Sequence, residues 1–324
     1  MSDQALSPSP GSGPTARARI PAVPGVAVAL AGLCILFAGA SPGFLTTGNL
    51  SNILIQSVIL LLLALPMTLI IMTEGLDLSM GAVLTLASLV LALIVVATQS
   101  VLLGLLGALG VGIAFGFTNG WLVSVLGIPP FVATLGTLGA AQGLALILSD
   151  GQSVVGIPRT LRQVYSGDVA GIPIPILIGA GFYALFHVLL YHTRFGTYVC
   201  ALGGSRDALT LAGVKWKRLL ICVYVLGGTM AGVAALLMTA RMNAGHPTAA
   251  IGMEFDAIAA VALGGTSFEK GNGWIFGTLL GVLTVGVLRN GLNLMAVPSS
   301  VQVSCIGVLV IFALFLDGMR SQKS

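Results

Sequence analysis

Residues 78–149 read LSMGAVLTLASLVLALIVVATQSVLLGLLGALGVGIAFGFTNGWLVSVLGIPPFVATLGTLGAAQGLALILS, and no Asp, Glu, Lys or Arg interrupts them. The same is true between Arg19 and Glu74. A water-soluble domain needs a charged surface, whereas this chain of 324 residues is 56% hydrophobic and only 7% charged. Its solvent is therefore mostly lipid. A hydrocarbon core about 30 Å thick takes roughly 20 helical residues to cross, so each uncharged run holds at least two crossings. Among the 44 glycines, Gly104, Gly107, Gly110, Gly112 and Gly116 sit inside one apolar run. Small residues at such spacings let membrane helices approach closely.

Reading outward from that stretch, apolar runs and their punctuation predict an all-α membrane protein of about ten segments. Their approximate spans are 24–40, 53–72, 78–97, 101–125, 131–148, 172–190, 218–240, 254–265, 274–293 and 301–317. The eighth is too short to cross alone and reads as a half-helix running into a break at Gly264-Gly265. Pro66 and Pro129-Pro130 are read as similar interruptions, tolerated at depth only beside protein or a wet cavity. Residues 1–23 read as a disordered cytosolic tail, 24–317 as one polytopic domain and 318–324 as a short cytosolic tail. Arg17 and Arg19, the cluster Arg194, Arg206, Lys215, Lys217 and Arg218, and Arg320 with Lys323 fall on one side after ten crossings. The excess of Lys and Arg makes that side the cytosol. Ala38-Gly39-Ala40 resembles a signal-peptidase site, but an uncleaved first helix keeps the crossings and charges consistent.

The net charge of +4 is too small to point to nucleic acid. Cys34, Cys200, Cys222 and Cys305 lack metal or disulfide spacing, and His187, His192 and His246 stand apart. No Gly-x-x-x-x-Gly-Lys-Ser/Thr loop or Gly-x-Ser-x-Gly elbow occurs. The chain is thus expected to be neither an ATPase nor a hydrolase, with no cofactor or metal of its own.

Three polar stretches stand out. In Thr73-Glu74-Gly75-Leu76-Asp77-Leu78-Ser79, Asp77 and Ser79 open the third segment, either as helix caps or as groups that handle a substrate or proton. In the loop 191–218, Ser205 reads as the N-cap of a short helix that Gly213 ends. That loop is either a docking element for a soluble partner or a plain basic loop. In Glu254 to Ser267, two acids open a short helix and Gly264-Gly265 closes it, either as a capped, broken helix alone or as one that also lines a path.

Taken together these blocks resemble the permease subunits of bacterial ABC sugar importers of the ribose/xylose/galactose group. Gly75-Leu76-Asp77-Leu78-Ser79 resembles their Gly-Ile-Asp-Leu-Ser stretch, and Ile128 to Thr137 their Ile-Pro-Pro-Phe-x-Ala-Thr-Leu-Gly-Thr. Thr193-Arg194-Phe195-Gly196, the run from Asp256 to Thr266, and Asn290-Gly291-Leu292-Asn293-Leu294 also match, in the family's order. Three positions depart from the pattern. Glu74 stands in place of the first Gly of a pair, Arg289 in place of an Asn, and Asp207-Ala208-Leu209 in place of a Glu-Ala-Ala-like sequence.

The resemblance implies a permease dimer in the bacterial inner membrane. An ATPase with two nucleotide-binding modules, which binds the ATP, would dock below, and a periplasmic sugar-binding protein would deliver a pentose or hexose above. Coupling is expected at Ser205, Arg206, Asp207, Ala208 and Gly213. The path needs polar groups that bind weakly. Gln56, Asn119, Gln142, Asn290, Asn293 and Gln302 are available in or near apolar runs, as path lining or as glue between helices. Their neutrality suits an uncharged sugar, and mid-helix pairs of acid and base, which a proton-coupled carrier would use, are not expected. The competing readings are a related permease for branched-chain amino acids or nucleosides, an ATP-independent carrier or channel, and a structural scaffold, for which broken helices would be needless.

Overall fold

The computed structural model describes residues 25–267, 271–298, 300–302 and 304–308. The expected tails at 1–23 and 318–324, and most of the tenth segment, lie outside the described residues; of that segment, 301–302 and 304–308 are helical. The chain runs α1 (Gly25–Ala40), α2 (Thr47–Met72), α3 (Met80–Thr98), α4 (Val101–Ser124) and α5 (Pro130–Ser149). A short α6 (Arg159–Ser166) and a hairpin of β1 (Asp168–Val169) and β2 (Ile172–Pro173) precede α7 (Ile174–Tyr191). Then come α8 (Arg194–Gly204), α9 (Arg206–Leu211), α10 (Trp216–Met242), α11 (Met253–Leu263) and α12 (Ile275–Leu294). Seven of these, α2, α3, α4, α5, α7, α10 and α12, are long and apolar enough to cross a bilayer. The protein is a multi-pass membrane protein.

Local chemistry sets the helix ends. Thr46, Ser100, Thr193 and Ser205 each accept a backbone N–H three residues on, at the starts of α2, α4, α8 and α9. Gln99, Asp150 and Asn243 close α3, α5 and α10 in the left-handed conformation. Every residue from Ser57 to Met72 is buried, so α2 is apolar all round and forms the centre of the bundle. In contrast, α4, α5 and α7 expose large apolar side chains such as Leu102, Ile147 and Leu185, the face that lipid covers.

Glycines bring α4 against α10. A Cβ on Gly112 would strike the Gly228 carbonyl, and one on Gly228 would strike that of Gly112. Gly116 meets the backbone of Tyr224 and Val225, and Gly120 that of Ile221. Gly104 and Gly107 turn the other way, onto Val95 and Ile94 of α3, and Gly110 faces open space. The run of glycines therefore serves two packing faces, and Gly110 belongs to neither.

At one end of the bundle Gly203 rests on the Met72 carbonyl and on Gly271, and the Ile275 N–H donates to the Tyr191 hydroxyl at 3.2 Å. At the other end Val154 and Gly245 form an antiparallel bridge, and Ser153 hydrogen-bonds His246. From that end the chain after α10 folds back into the bundle, where the Ala250 N–H donates to Thr85 Oγ1 at 3.1 Å. Consequently α11 starts inside the bundle. Its 11 residues span about 16 Å, half of a bilayer core, so the eighth segment is a half-helix. It runs antiparallel to α12, with Ala260 against Gly281 and Gly264 against Gly277. Gly265, at φ +83°, makes the turn that closes it.

Two expectations are corrected. Pro66 does not interrupt α2, which continues through it; membrane helices tolerate proline where packed neighbours re-satisfy the freed backbone. Pro129-Pro130 punctuates a helix start, with Pro130 the first residue of α5. The loop 149–171 and the stretch 191–204 also hold more order than was expected, namely α6, the hairpin and α8.

Candidate functional site

A cavity of about 320 Å³ opens where α2, α10, α11 and α12 meet. Its polar lining is Gln56 and Ser57 from α2, Arg241 from the last turn of α10, Asp256 from the first turn of α11, Arg289 and Asn293 from α12, and Gln302. Arg289 and Asn293 lie four residues apart on α12 and so share a face. Gln302 Nε2 donates to Asn293 Oδ1 at 2.8 Å and to the Val297 carbonyl at 2.9 Å, fixing the following helical turn over α12. Arg289 Nη2 donates to Asp256 Oδ2 in an ion pair. The amides at the N-terminus of α11 favour the carboxylate there. Leu60, Met238 and Val285 supply apolar wall.

A wider, more open recess of about 570 Å³ adjoins the cavity, shares Gln56 and Arg241 with it, and adds Asn52, Tyr165 and Asp168. Burial pushes the Tyr165 hydroxyl above its ordinary pKa, and the nearby Arg241 charge partly opposes that. Among the described residues no group of three His, Cys, Asp or Glu side chains is placed to hold a metal ion. The arrangement is chemically a binding surface for a hydroxyl-rich solute: amides for hydroxyls, with one cluster of charge.

Of the six expected path residues, Gln56, Asn293 and Gln302 line this cavity. The other three lie off it. Asn119 is fully buried; its Nδ2 donates to Ser79 Oγ at 2.8 Å and to Asp77 Oδ1 at 3.4 Å, and its Oδ1 accepts from Thr137 Oγ1 at 2.6 Å. Asn290 exchanges two 2.9 Å bonds with Asn49, joining α12 to the start of α2. Gln142 donates to the Pro247 carbonyl at 2.7 Å, holding the inward-folded segment.

Asp77 and Ser79 do not cap α3 as expected. Ser79 occupies the N-cap position without a side-chain cap bond, because its hydroxyl and its N–H both donate to Asp77 Oδ1, at 2.6 and 2.9 Å. No mid-helix pair of acid and base was expected, and the one found joins Arg289 of α12 to Asp256 in the first turn of α11. The partners lie on separate segments, and only the antiparallel register of α11 and α12 joins them.

The second site lies at the opposite end. Ser205 Oγ accepts the Ala208 N–H at 3.2 Å, and Gly213 turns the chain at φ +73°, so the expected short helix is present as α9. Leu209 is buried beneath it, while Arg206, Asp207 and Ala208 are exposed. Arg206 reaches Glu74 at 3.6 Å and lies over the Trp216 ring. Leu211, which the sequence reading passed over, is 90% exposed at the tip of α9. Its visible signal is a leucine two residues from the anchoring Leu209 on a polar helix. Thr193-Arg194-Phe195-Gly196 also acquires a reason: Thr193 caps Gly196, and a side chain at Gly196 would strike the Leu190 backbone.

The family described as branched-chain amino acid transport system / permease component matches residues 49–314. The chain is 38% identical to the ribose import permease protein RbsC of Bacillus subtilis (strain 168), over 89% of this chain and 90% of that protein. It is 36% identical to the D-allose transport system permease protein AlsC of Escherichia coli (strain K12), over 90% of each. It is 32% identical to the L-arabinose ABC transporter permease protein AraH of Azospirillum brasilense, over 89% of this chain and 86% of that protein. No solved structure matches. The matched span contains the cavity, the half-helix α11 and the exposed α9, and the chain belongs to the branched-chain amino acid transport system permease family.

Proposed function

We propose that the chain is the membrane-spanning subunit of an ATP-driven importer that passes a monosaccharide across the bacterial inner membrane. Two copies form the pathway. A periplasmic binding protein delivers the sugar at the cavity end, and a cytosolic ATPase with two nucleotide-binding modules docks on α9 and binds the ATP. The observation that carries the reading is Leu211, an almost fully exposed leucine on a capped helix, at the bundle end opposite a polar cavity. A leucine left bare on a short, N-capped polar helix is available for a partner to cover, and Lys215, Lys217 and Arg218 beside it support a cytosolic side for that end. The names of the relatives supply the sugar.

The mechanism is alternating access. ATPase closure displaces α9, whose Leu209 is packed into the bundle and whose Arg206 holds the turn between α2 and α3. That turn and α11 move relative to α10 and α12, and the cavity changes the side on which it opens. Half-helix termini directed into a cavity near mid-membrane suit this task, since their free backbone groups meet solute and not lipid.

Reconstitution tests the reading. The permease is purified with its ATPase and binding protein, and uptake of labelled pentoses and hexoses into proteoliposomes is measured with and without ATP. Uptake is expected only with ATP and all components. Uptake that persists without ATP or the ATPase defeats the proposal in favour of a carrier or channel. A second reading, an amino-acid permease, is favoured by the Arg289–Asp256 pair, which offers both charges to a zwitterion. Leucine in the same uptake panel separates the two.

A further inference from the structure

The cavity holds more positive charge than a neutral sugar needs. Its lining contains two arginines, Arg241 and Arg289, and a single carboxylate, Asp256. Asp256 is engaged by Arg289, and among the described residues Arg241 has neither ion pair nor hydrogen bond. The pair is also asymmetric: the Asp256 side chain is 5% exposed and that of Arg289 is 44% exposed. The carboxylate lies behind and the guanidinium faces the opening. A cation kept at such a place is costly and marks a functional site, with its partner to be named. The dipole at the C-terminus of α10 favours a cation in its last turn, but it does not require the side chain to line the cavity.

We infer that this pathway takes a monosaccharide bearing one carboxylate, an aldonic or uronic acid; the inference rests on the sugar-import reading above and names the class of sugar. Arg289 and Arg241 receive the carboxylate, and Gln56, Asn293 and Gln302 face the hydroxyls. Within the cavity itself the charge count favours one carboxylate: two guanidinium groups and Asp256 leave a single positive charge, which one carboxylate balances and a phosphate dianion exceeds, while Asp168 lines only the outer recess that shares Arg241. Asp256 also keeps the site weak. A guanidinium has five N–H donors, so Arg289 can hold Asp256 and an incoming carboxylate together, each less tightly than alone, and release remains fast.

The test uses the full-length permease in nanodiscs. Saturation-transfer NMR is recorded with D-galacturonate and D-gluconate against D-galactose and D-glucose, with L-leucine as the zwitterion. The acids are expected to bind at least about tenfold more tightly than their parent sugars, the scale of one charge-assisted hydrogen bond. R289N should remove that preference by weakening the acids at least about tenfold more than the neutral sugars, whereas R289K should keep it. R289N/D256N replaces both charges with neutral amides, so the preference should vanish in a protein whose pairing is balanced. Equal binding of acids and neutral sugars by the unmodified protein overturns the inference, as does stronger binding of leucine. So does a loss in R289N and R241Q that is the same for acids and neutral sugars, which would make Arg289 a structural clip. ATP-driven uptake in the assembled transporter separates the levels. Uptake of neutral sugars with no acid preference defeats this inference alone, and no ATP-driven uptake of any sugar defeats the import reading and this inference with it.

Discussion

Arg206 of α9 and Glu74 of the turn after α2 stand 3.6 Å apart, both about half exposed. Glu74 has φ +58°, a conformation that suits glycine and costs another residue about 1 kcal/mol. The pair ties the expected docking helix to the turn that starts α3. A half-exposed ion pair contributes roughly 0–1 kcal/mol. Its loss in R206Q or E74Q should therefore shift the melting temperature in detergent by only about 2 °C or less, while ATP-driven uptake falls several-fold. E74G should be at least as stable as the unmodified protein and equally impaired in uptake. The swap E74R/R206E should recover transport. Unchanged uptake in all three single variants would remove the tether from the mechanism.

Gly112 and Gly228 approach backbone to backbone, whereas Gly110, on the same helix, faces open space. Alanine at Gly112 or Gly228 forces α4 and α10 apart and should cost about 1–3 kcal/mol. Alanine at Gly110 should be neutral or stabilise by about 0.5–1 kcal/mol, the intrinsic helix preference. Thermal unfolding of the three variants in one detergent checks the contrast; equal effects would mean that the helix contact is not held by these glycines.

Lipid as solvent makes much of this fold legible, because it forces long apolar runs whose ends are marked by Ser100, Pro130 or Asn243. Capping is equally local, so Ser205 announced α9 and the acids before Gly264-Gly265 announced α11. What stayed hidden depended on partners far along the chain. Nothing near Arg289 in sequence points to Asp256, and a buried amide such as Asn119 reads the same whether it touches solute or Ser79. Pro66 misled for a related reason: its local effect is to break a helix, and the packing around α2 overrides that. Arg241 lies one residue past the seventh apolar run, with no polar motif around it to single it out.

Asn119 and Gln302 both carry an amide in an apolar setting, but they should fail differently. Asn119 connects Asp77, Ser79 and Thr137 in a fully buried network. Removing it in N119A strands buried polar groups at about 1–3 kcal/mol each, so expression and melting temperature should drop while the relative uptake of different sugars stays the same. Gln302 lines the cavity and also ties Asn293 to the Val297 turn, so Q302A should alter the KM for sugar while costing less stability than N119A. The reverse pattern would move the path to the Asp77 side of α3.

Leu211 is where the largest loss of coupling for the smallest loss of stability is expected. It is 90% exposed, so folding gains little from it, and Leu211→Asp should leave membrane insertion and melting temperature unchanged. In a complex the same side chain would be buried in an ATPase groove, where burying a leucine contributes about 1.5–3 kcal/mol and a carboxylate adds a desolvation cost. The ATPase should then co-purify with L211D at least about tenfold more weakly, the ratio that about 1.4 kcal/mol represents. Bulky residues at Ala208, which is exposed on the same short helix, should act in the same direction, because they hold the partner off the surface. Leu209→Ala, by contrast, removes the buried anchor of α9; it should permit docking but transmit less of it, leaving ATP hydrolysis that no longer drives uptake. Normal ATPase capture by L211D would place the docking surface elsewhere on the basic end of the bundle.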